Sequence, residues 1–574
     1  MTPSPQFSQR GLMLLLAALF LIWFGTLDYR HLVKPDEGRY AEIPREMVAS
    51  GNWLTPRLND LKYFEKPALQ YWATAAAYDL FGEHHWTSRL WTALTGFLGI
   101  AITYVAGRRL WGATAGLYAA AVLASSLLYV LIGHINTLDM GVTFFMGLSM
   151  AGFLLAQRPG ANADENKWWM HVVWAGLAFS VLSKGLIGLV LPGAVLVLYT
   201  LIQRDWALWK RLHMVSGLAL FLLISAPWFI AVSIANPEFF HFFFIHEHFE
   251  RFLTKVHHRY QPWWAFIPIL LLGILPWITV MFDALARAWN GDSPKPNPLP
   301  SPLPPAGEGE AVSLRDIHSK AFRPQRFLLI WSVFIFLFFS ISSSKLPSYI
   351  LPIFPALALL IGVRLTKISV PALFWMMMPI AVLAGIAFLL SPFVVTFASE
   401  EVPVELYREY AVWLTAAAAI WLIGSMVGLY LLRRERVTAG IIAFALSGLI
   451  LAQVALSGHE SLSPSNSAWR IAQQIQPYLK PGAPFYSVGM YEQTLPFYIK
   501  RTVTLVAFQD EMEFGLQQEP GKWLPTFDDF EREWRKPGYA LAIIEPPTYQ
   551  RFKTSGLPMQ IIAQDTRRVV VIKP

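Results

Sequence analysis

The fold is decided by residues 11–27, GLMLLLAALFLIWFGTL, and by residues 33–47, VKPDEGRYAEIPREM, which follow after a short gap. The first stretch is apolar, and a membrane-spanning helix needs about 20 mainly apolar residues. The second is its opposite, because seven of the thirteen residues from Lys34 to Glu46 are charged. No small-residue cleavage motif follows the apolar run, so we interpret it as an uncleaved first span rather than a signal peptide.

The composition of the whole chain agrees with a membrane protein. Of its 574 residues, 55% are hydrophobic and 15% are charged, whereas soluble domains carry about 25% charged residues. The net charge of +8 comes from basic residues in short loops, which indicates membrane topology rather than a nucleic-acid partner. The chain has no cysteine, which excludes disulfides, thiolate metal sites and cysteine nucleophiles.

Apolar runs of span length recur along the chain. We predict thirteen transmembrane helices, at residues 10–28, 88–108, 111–132, 138–157, 168–183, 186–203, 213–234, 263–284, 326–343, 348–365, 370–391, 409–432 and 438–457. With the N-terminus in the cytoplasm, the inward loops are basic and the outward ones mix acids and bases evenly. This predicts a multi-pass membrane protein with its C-terminus outside, which in a bacterium means the periplasmic side of the inner membrane.

The segments outside the spans differ in character. The first periplasmic loop, residues 29–87 (the first loop below), contains two amphipathic patterns, which predict helices lying in the membrane interface. On the first of them, Glu42, Arg45 and Glu46 are expected to form a solvated face. A second periplasmic loop covers residues 235–262. The cytoplasmic loop 285–325 is rich in proline and glycine, so we expect no chemistry there.

Residues 458–574, beyond the last span, read as a separate unit. The stretches APFYSVGM, TVTLVAF, YALAIIE and RVVVIKP predict short strands, and residues 466–479 and 527–535 predict helices. The predicted fold class is therefore a polytopic α-helical membrane protein, residues 1–457, with a small periplasmic α/β domain, residues 458–574.

Charged clusters near a bilayer are functional candidates, because charge is expensive there. The predicted topology brings five clusters to the periplasmic side. They contain Lys34, Asp36, Glu37, Arg39 and Tyr40; Lys62, Tyr63, Glu65 and Lys66; Asp139; Lys184; and His246, Glu247, His248 and Arg251, joined by Lys345 and Tyr349. Each has a structural alternative. The lysines can anchor or snorkel at the interface, Asp139 can cap a helix, and the histidines can pack on aromatic rings.

Several of these motifs together resemble one family. KPDEGRYAEIPREM followed by KYFEKPALQYW is similar to the first periplasmic loop of the bacterial aminoarabinose transferases of lipid A. These belong with the protein mannosyltransferases in the GT-C class. The resemblance continues through LD at 138–139, SKG at 183–185, EHFERF at 247–252 and SSKLPSYIL at 343–351. The Asp-Glu pair alone indicates only the GT-C class, whereas YFEKP and KLPSYIL together favour the aminoarabinose branch.

The resemblance implies a glycosyltransferase with two lipid partners. Its donor would be undecaprenyl phosphate carrying 4-amino-4-deoxy-L-arabinose, its acceptor a phosphate of lipid A, and the product would confer resistance to cationic peptides such as polymyxin. The departing polyprenyl phosphate needs cations. Lys66, Arg251 and Lys345 are candidates for that role, with Tyr63 and Tyr349 as hydrogen-bond donors. Arg39, Tyr40, Lys184 and Glu247 complete the expected substrate-binding set.

The carboxylates Asp36, Glu37 and Asp139 are the expected catalytic residues. They can offset the positive charge of an oxocarbenium-like transition state or deprotonate the acceptor. A lipid A phosphate is already ionised, so Asp36 can instead bind the amino group of the sugar, orient the acceptor or hold Arg39.

We expect no required cofactor. A zinc ion held by Glu65 with His246 or His248 is a second hypothesis.

Two functional alternatives remain open. One is a mannosyl or other hexosyl transferase that uses a polyprenyl-phosphate sugar and modifies a protein or another lipid. The other is a transporter of a lipid-linked sugar, against which count the absence of a detectable inverted repeat and the placement of charges at one surface.

Overall fold

The computed structural model describes residues 9–250, 261–291 and 322–573. Most of the predicted cytoplasmic loop, at residues 292–321, and part of the second periplasmic loop, at residues 251–260, lie outside these ranges. The helices of the membrane part are Gln9–Phe24, His85–Trp111, Ala113–Ser125, Leu127–Ile132, Asp139–Ala156, Ala163–Lys184, Ile187–Gln203, Met214–Ala235, Phe266–Gly273, Ile278–Ala288, Pro324–Ile341, Phe354–Leu365, Val370–Leu390, Val404–Arg433 and Val437–Gly458.

The membrane part is built from these long apolar helices. Within the described ranges, eight helices are long and apolar enough to cross a membrane, or nine when a pair bent by 114° is taken as one span. Three shorter apolar helices accompany them. Each predicted span coincides with one helix or with two successive helices, while the count of thirteen spans stays a prediction. The inner faces of these helices share one continuous hydrophobic core. The number, length and apolar composition of the helices indicate a multi-pass membrane protein.

The first loop folds into a helix, a two-stranded hairpin and a second helix. The helices are Asp36–Ser50 and Leu69–Phe81, and the antiparallel strands are β1 (Arg57–Leu58) and β2 (Leu61–Lys62). The expectation that the first helix presents a solvated face is wrong. Its side chains are buried from Glu37 to Met47, because the C-terminal domain packs over it.

The C-terminal domain contains a six-stranded sheet in the order β5-β4-β3-β6-β8-β7. Its strands are β3 (Phe485–Val488), β4 (Thr504–Val506), β5 (Trp523–Leu524), β6 (Leu541–Ile544), β7 (Gln560–Gln564) and β8 (Val569–Ile572). Strands β5, β4, β3 and β6 are parallel, and β8 and β7 continue the sheet antiparallel. The α-helices that follow the last long helix are Ser463–Asn466, Trp469–Ile475, Leu495–Ile499, Glu513–Gln518, Phe527–Arg535 and Pro546–Thr554.

The C-terminal domain and the first loop are packed as one unit. A single hydrophobic cluster joins Ile43 and Leu58 of the loop to Phe485 and Leu541 of the sheet. At Gly38 the contact is so close that an added Cβ would lie 2.6 Å from the backbone of Gln493. Glycine is therefore required here by the approach of two backbones. This packing brings the loops that follow β3 and β4 to the outer ends of the membrane helices.

Candidate active site

A cavity of about 970 Å³ lies between the ends of the membrane helices, the first loop and the C-terminal domain. Its membrane side is mainly apolar, with Leu138, Val142, Met146, Ile187, Leu191, Phe338, Phe339 and Pro352. Its opposite side is mainly polar, with Asp36, Arg39, Glu65, Lys66, Gln493, Asp510, Glu511, Glu513, Gln517 and Gln518. An apolar wall that meets convergent polar groups is suited to an amphipathic ligand.

Arg39 connects the first loop to the C-terminal domain inside this cavity. Its Nη2 lies 2.6 Å from Glu511 Oε2 and 3.6 Å from Asp36 Oδ1, and its Nη1 donates a 3.0 Å hydrogen bond to the hydroxyl of Tyr63. Burial raises the pKa of Glu511, although the charge of Arg39 opposes that shift. The Arg39 side chain is 7% exposed, whereas that of Asp36 is 43% exposed, so Asp36 is the more accessible partner for a ligand.

Asp139 and Lys184 form a second charged pair on the membrane side. Lys184 Nζ donates a hydrogen bond to Asp139 Oδ1, and it lies 4.7 Å from the ring centroid of Tyr349. Asp139 is the first residue of the helix Asp139–Ala156, where a negative charge is favoured by the helix dipole. The prediction that Asp139, Lys184 and Tyr349 lie near one another at the site is therefore consistent with this geometry.

Lys66 and Glu65 line the cavity from the end of the first loop. Lys66 Nζ donates a 2.8 Å hydrogen bond to the backbone oxygen of Glu65 and lies 3.9 Å from its carboxylate. His246 also lines the cavity, and its ring stacks on Phe242 at 5.2 Å. The described part of the chain holds no group of three or more metal-ligating side chains, and the side chain of His248 lies outside that part.

Twelve of the fifteen predicted site residues have described side chains, since those of Glu247, His248 and Arg251 lie outside the described residues. Nine of the twelve line the cavity: Asp36, Arg39, Tyr40, Glu65, Lys66, Asp139, Lys184, His246 and Tyr349. Three do not, and each is held elsewhere by a specific partner.

Glu37 is the most consequential of these corrections. Arg89 donates to both of its oxygens, at 2.7 and 2.8 Å, and both side chains are 0% exposed. Burial alone would raise the pKa of Glu37, but the charge and hydrogen bonds of Arg89 lower it to about 2. Glu37 is therefore fixed as a buried carboxylate beside Arg89 and does not line the cavity, while its catalytic role stays a prediction.

Tyr63 and Lys345 are the other two predicted site residues that do not line the cavity. The hydroxyl of Tyr63 accepts a hydrogen bond from Arg39. Tyr63 therefore acts on a ligand in the cavity by positioning Arg39. Lys345 donates to the backbone oxygens of Ser342 and, at 3.1 Å, Gln261, and is 6% exposed. Its ammonium group thus ties two chain segments together instead of facing the cavity.

Sequence reasoning missed the contribution of the C-terminal domain. Gln493 follows β3, and residues 510–518 follow β4. Ligands of open α/β sheets bind beyond the carboxyl ends of parallel strands. Both strands were predicted, so this rule would have identified the two loops as candidates.

Two family models match the chain in separate regions. The model described as dolichyl-phosphate-mannose-protein mannosyltransferase covers residues 8–243, and the model described as aminoarabinose transferase C-terminal domain covers residues 471–573. The crystal structure of ArnT from Cupriavidus metallidurans bound to undecaprenyl phosphate matches with a TM-score of 0.90 and 39% identity, over 98% of each chain. The chain belongs to the ArnT aminoarabinose transferase family.

The sequences of curated members of the ArnT family match over a shorter region. The undecaprenyl phosphate-alpha-4-amino-4-deoxy-L-arabinose arabinosyl transferase 1 of Proteus mirabilis is 36% identical over 351 residues, which are 60% of this chain and 57% of the relative. The corresponding transferase of Erwinia tasmaniensis is 34% identical over 362 residues, 62% of this chain and 60% of the relative. The aligned region thus spans somewhat more than half the length of these two relatives.

Proposed function

We propose that this protein transfers 4-amino-4-deoxy-L-arabinose from undecaprenyl phosphate to a phosphate of lipid A. The match to ArnT bound to undecaprenyl phosphate, over 98% of each chain, carries this proposal. The reaction takes place at the periplasmic face of the inner membrane, where both lipids present their head groups. The product makes the cell resistant to cationic peptides such as polymyxin, because an added ammonium group offsets a phosphate charge.

The charge of the cavity supports an amino sugar as the substrate. Its described lining holds seven carboxylates and three lysine or arginine side chains: Asp36, Glu65, Asp139, Glu238, Asp510, Glu511 and Glu513 against Arg39, Lys66 and Lys184. The ammonium group of an amino sugar can form an ion pair with one of these carboxylates, whereas a neutral hexose can only form hydrogen bonds with them.

The proposed reaction needs no general base. An oxygen of the ionised lipid A phosphate attacks the anomeric carbon of the sugar, and the bond from that carbon to the undecaprenyl phosphate oxygen breaks. The bonding electrons leave with undecaprenyl phosphate, which departs as a dianion. Lys66 lines the cavity and stabilises that charge, while the exposed carboxylate of Asp36 offsets the positive charge that develops on the sugar ring.

We include no metal ion in the proposed mechanism. A zinc ion held by Glu65 with His246 or His248 stays a hypothesis, and metal analysis of the purified protein tests it. Lysine and arginine side chains supply the phosphate contacts that the transfer needs.

A second candidate is transfer of mannose or another hexose, favoured by the mannosyltransferase model that matches residues 8–243. The experiment that separates the two is mass spectrometry of lipid A from cells with and without the gene. The gain of aminoarabinose on lipid A is the expected result. Unchanged lipid A together with a newly glycosylated protein would support hexosyl transfer. With purified protein and both lipids, a transporter would give no product at all.

A further inference from the structure

Two residues that line the cavity carry buried hydrogen-bond donors without a partner among the described residues. They are Thr137, through its Oγ1, and Arg39, through its Nε. Thr137 is 7% exposed. A buried hydroxyl is normally hydrogen-bonded, because leaving it unpaired is unfavourable. Arg39 Nε can only donate a hydrogen bond and the Thr137 hydroxyl can donate one as well, so a ligand that offers acceptor oxygens suits either atom.

Thr137 lies at the start of a long helix. It comes two residues before the helix Asp139–Ala156, which has 18 residues. The first N–H groups of a helix have no partner within the helix, and the dipole gives this end a partial positive charge. Asp139 adds a carboxylate at the same place, but Lys184 forms an ion pair with it. The local field therefore favours an anion.

The backbone around Thr137 is fixed in place. The N–H of Asn136 donates to Glu37 Oε1 at 3.1 Å, and the side chain of Thr92 donates to the backbone oxygen of Thr137 at 3.5 Å. Glu37 is in turn held by Arg89. A group whose supporting contacts are already made loses little freedom when it binds a ligand.

We propose that the Thr137 hydroxyl and the N-terminus of the helix Asp139–Ala156 form a phosphoryl-binding subsite of the cavity. The ligand is an anionic phosphate oxygen, which accepts a hydrogen bond from Thr137. It belongs either to undecaprenyl phosphate or to the phosphate of lipid A. The choice between these two phosphates rests on the proposed function. The presence of a phosphoryl-binding subsite does not.

The test uses three variants of the full-length protein in nanodiscs. Thr137→Val keeps the side-chain shape and removes the hydroxyl, and Thr137→Ser restores a hydroxyl. Thr143→Val is the matched control. Thr143 lies in the helix Asp139–Ala156 that follows Thr137, is 0% exposed and has an unpartnered hydroxyl among the described residues, but it is not part of the cavity lining. Binding of undecaprenyl phosphate is measured directly, and KM values are measured for both substrates.

The expected result is at least about a tenfold weaker binding of undecaprenyl phosphate by Thr137→Val, since hydrogen bonds to charged groups are strong. Thr137→Ser and Thr143→Val should bind as the unchanged protein does. A tenfold rise confined to the KM for lipid A would assign the subsite to the acceptor phosphate. Unchanged binding and KM values in Thr137→Val, or equal losses in Thr143→Val, would overturn the proposal. If the unchanged protein binds undecaprenyl phosphate but transfers no aminoarabinose, the proposed function fails and the binding result still decides the subsite.

Discussion

At the scale of single residues, Arg39 lies between two of the carboxylates that line the cavity. It forms an ion pair with Glu511 at 2.6 Å and lies 3.6 Å from Asp36. Both carboxylates therefore face one guanidinium group, and Glu511 is the closer of the two. Asp36 keeps an accessible carboxylate in the cavity, and in the proposed mechanism its negative charge offsets the positive charge that develops on the sugar.

Asp36→Asn tests this role, because it keeps the side-chain size and removes the charge. We expect transfer to fall by about a hundredfold or more, in the range typical of an active-site electrostatic contact. Asp60→Asn is the matched control, since Asp60 is 55% exposed and lies outside the cavity lining. Activity is measured on purified protein at equal amounts. Similar activity in both variants would remove Asp36 from the reaction.

Lys66 and Lys34 provide a comparison of two lysines in the same loop. Lys66 lines the cavity, whereas Lys34 does not. A hydrogen bond to a charged group contributes about 1.5–3 kcal/mol, and Lys34, which is half-buried outside the cavity lining, makes no such contact with a ligand in the cavity. We therefore expect Lys66→Ala to reduce lipid A modification about ten- to a hundredfold and Lys34→Ala to have little effect. Equal losses would favour interfacial anchoring of both lysines. Arg251, the other predicted phosphate ligand, lies outside the described residues.

At the scale of elements, the buried pair Glu37–Arg89 joins the first loop to the helix His85–Trp111. Breaking a buried ion pair on one side leaves an uncompensated charge, which costs about 3–5 kcal/mol. Glu37→Gln should therefore lower the thermal unfolding midpoint and the yield of folded protein. Glu83→Gln is the control, because its pair with Lys500 is partly exposed and contributes little. If both variants unfold at the same temperature, the buried pair does not stabilise the fold.

The helices and strands were largely predictable from the sequence, whereas the burial of their side chains was not. Helices of apolar composition and buried strands such as Leu541–Ile544 follow from local sequence patterns. Strand β7 was missed because it lies at a sheet edge and is mostly exposed. The burial of Glu42 and Arg45 was missed for another reason. Both look solvated in a local pattern, and only the distant C-terminal domain covers them.

At the scale of the whole molecule, Glu46 links stability to pH. Burial, followed by the charge of Glu42, raises the pKa of Glu46 to about 8, against the N–H groups of Asp60 and Asn59 and the charge of Arg45. The folded protein thus binds this proton more tightly than the unfolded chain, whose pKa is near 4.5. The stabilisation is complete below about pH 4.5 and is lost as the pH rises towards 8.

We expect the unfolding midpoint to fall between pH 6 and pH 8.5, and to fall less in Glu46→Gln, which carries no titratable proton. The shift in the pKa of Glu511 has the same sign, so part of the slope should remain in that variant. The pKa of Glu37 is about 2, far below this pH range, so Glu37 does not change how the unfolding midpoint depends on pH between pH 6 and pH 8.5. Thermal unfolding of both proteins in nanodiscs is the measurement. Identical slopes would contradict the assignment to Glu46.

The contact between the first loop and the C-terminal domain also sets an order of events during synthesis. The side chain of Asn59 exchanges two hydrogen bonds with the backbone of Val503, which is 444 positions later in the chain. A ribosome that adds 5–20 residues per second needs roughly 20 to 90 s to bridge that interval. During this time Glu42, Arg45 and Glu46 have no cover, and the polar wall of the cavity is incomplete. A chain that is still being synthesised therefore has no complete cavity until its C-terminal domain has folded against the first loop.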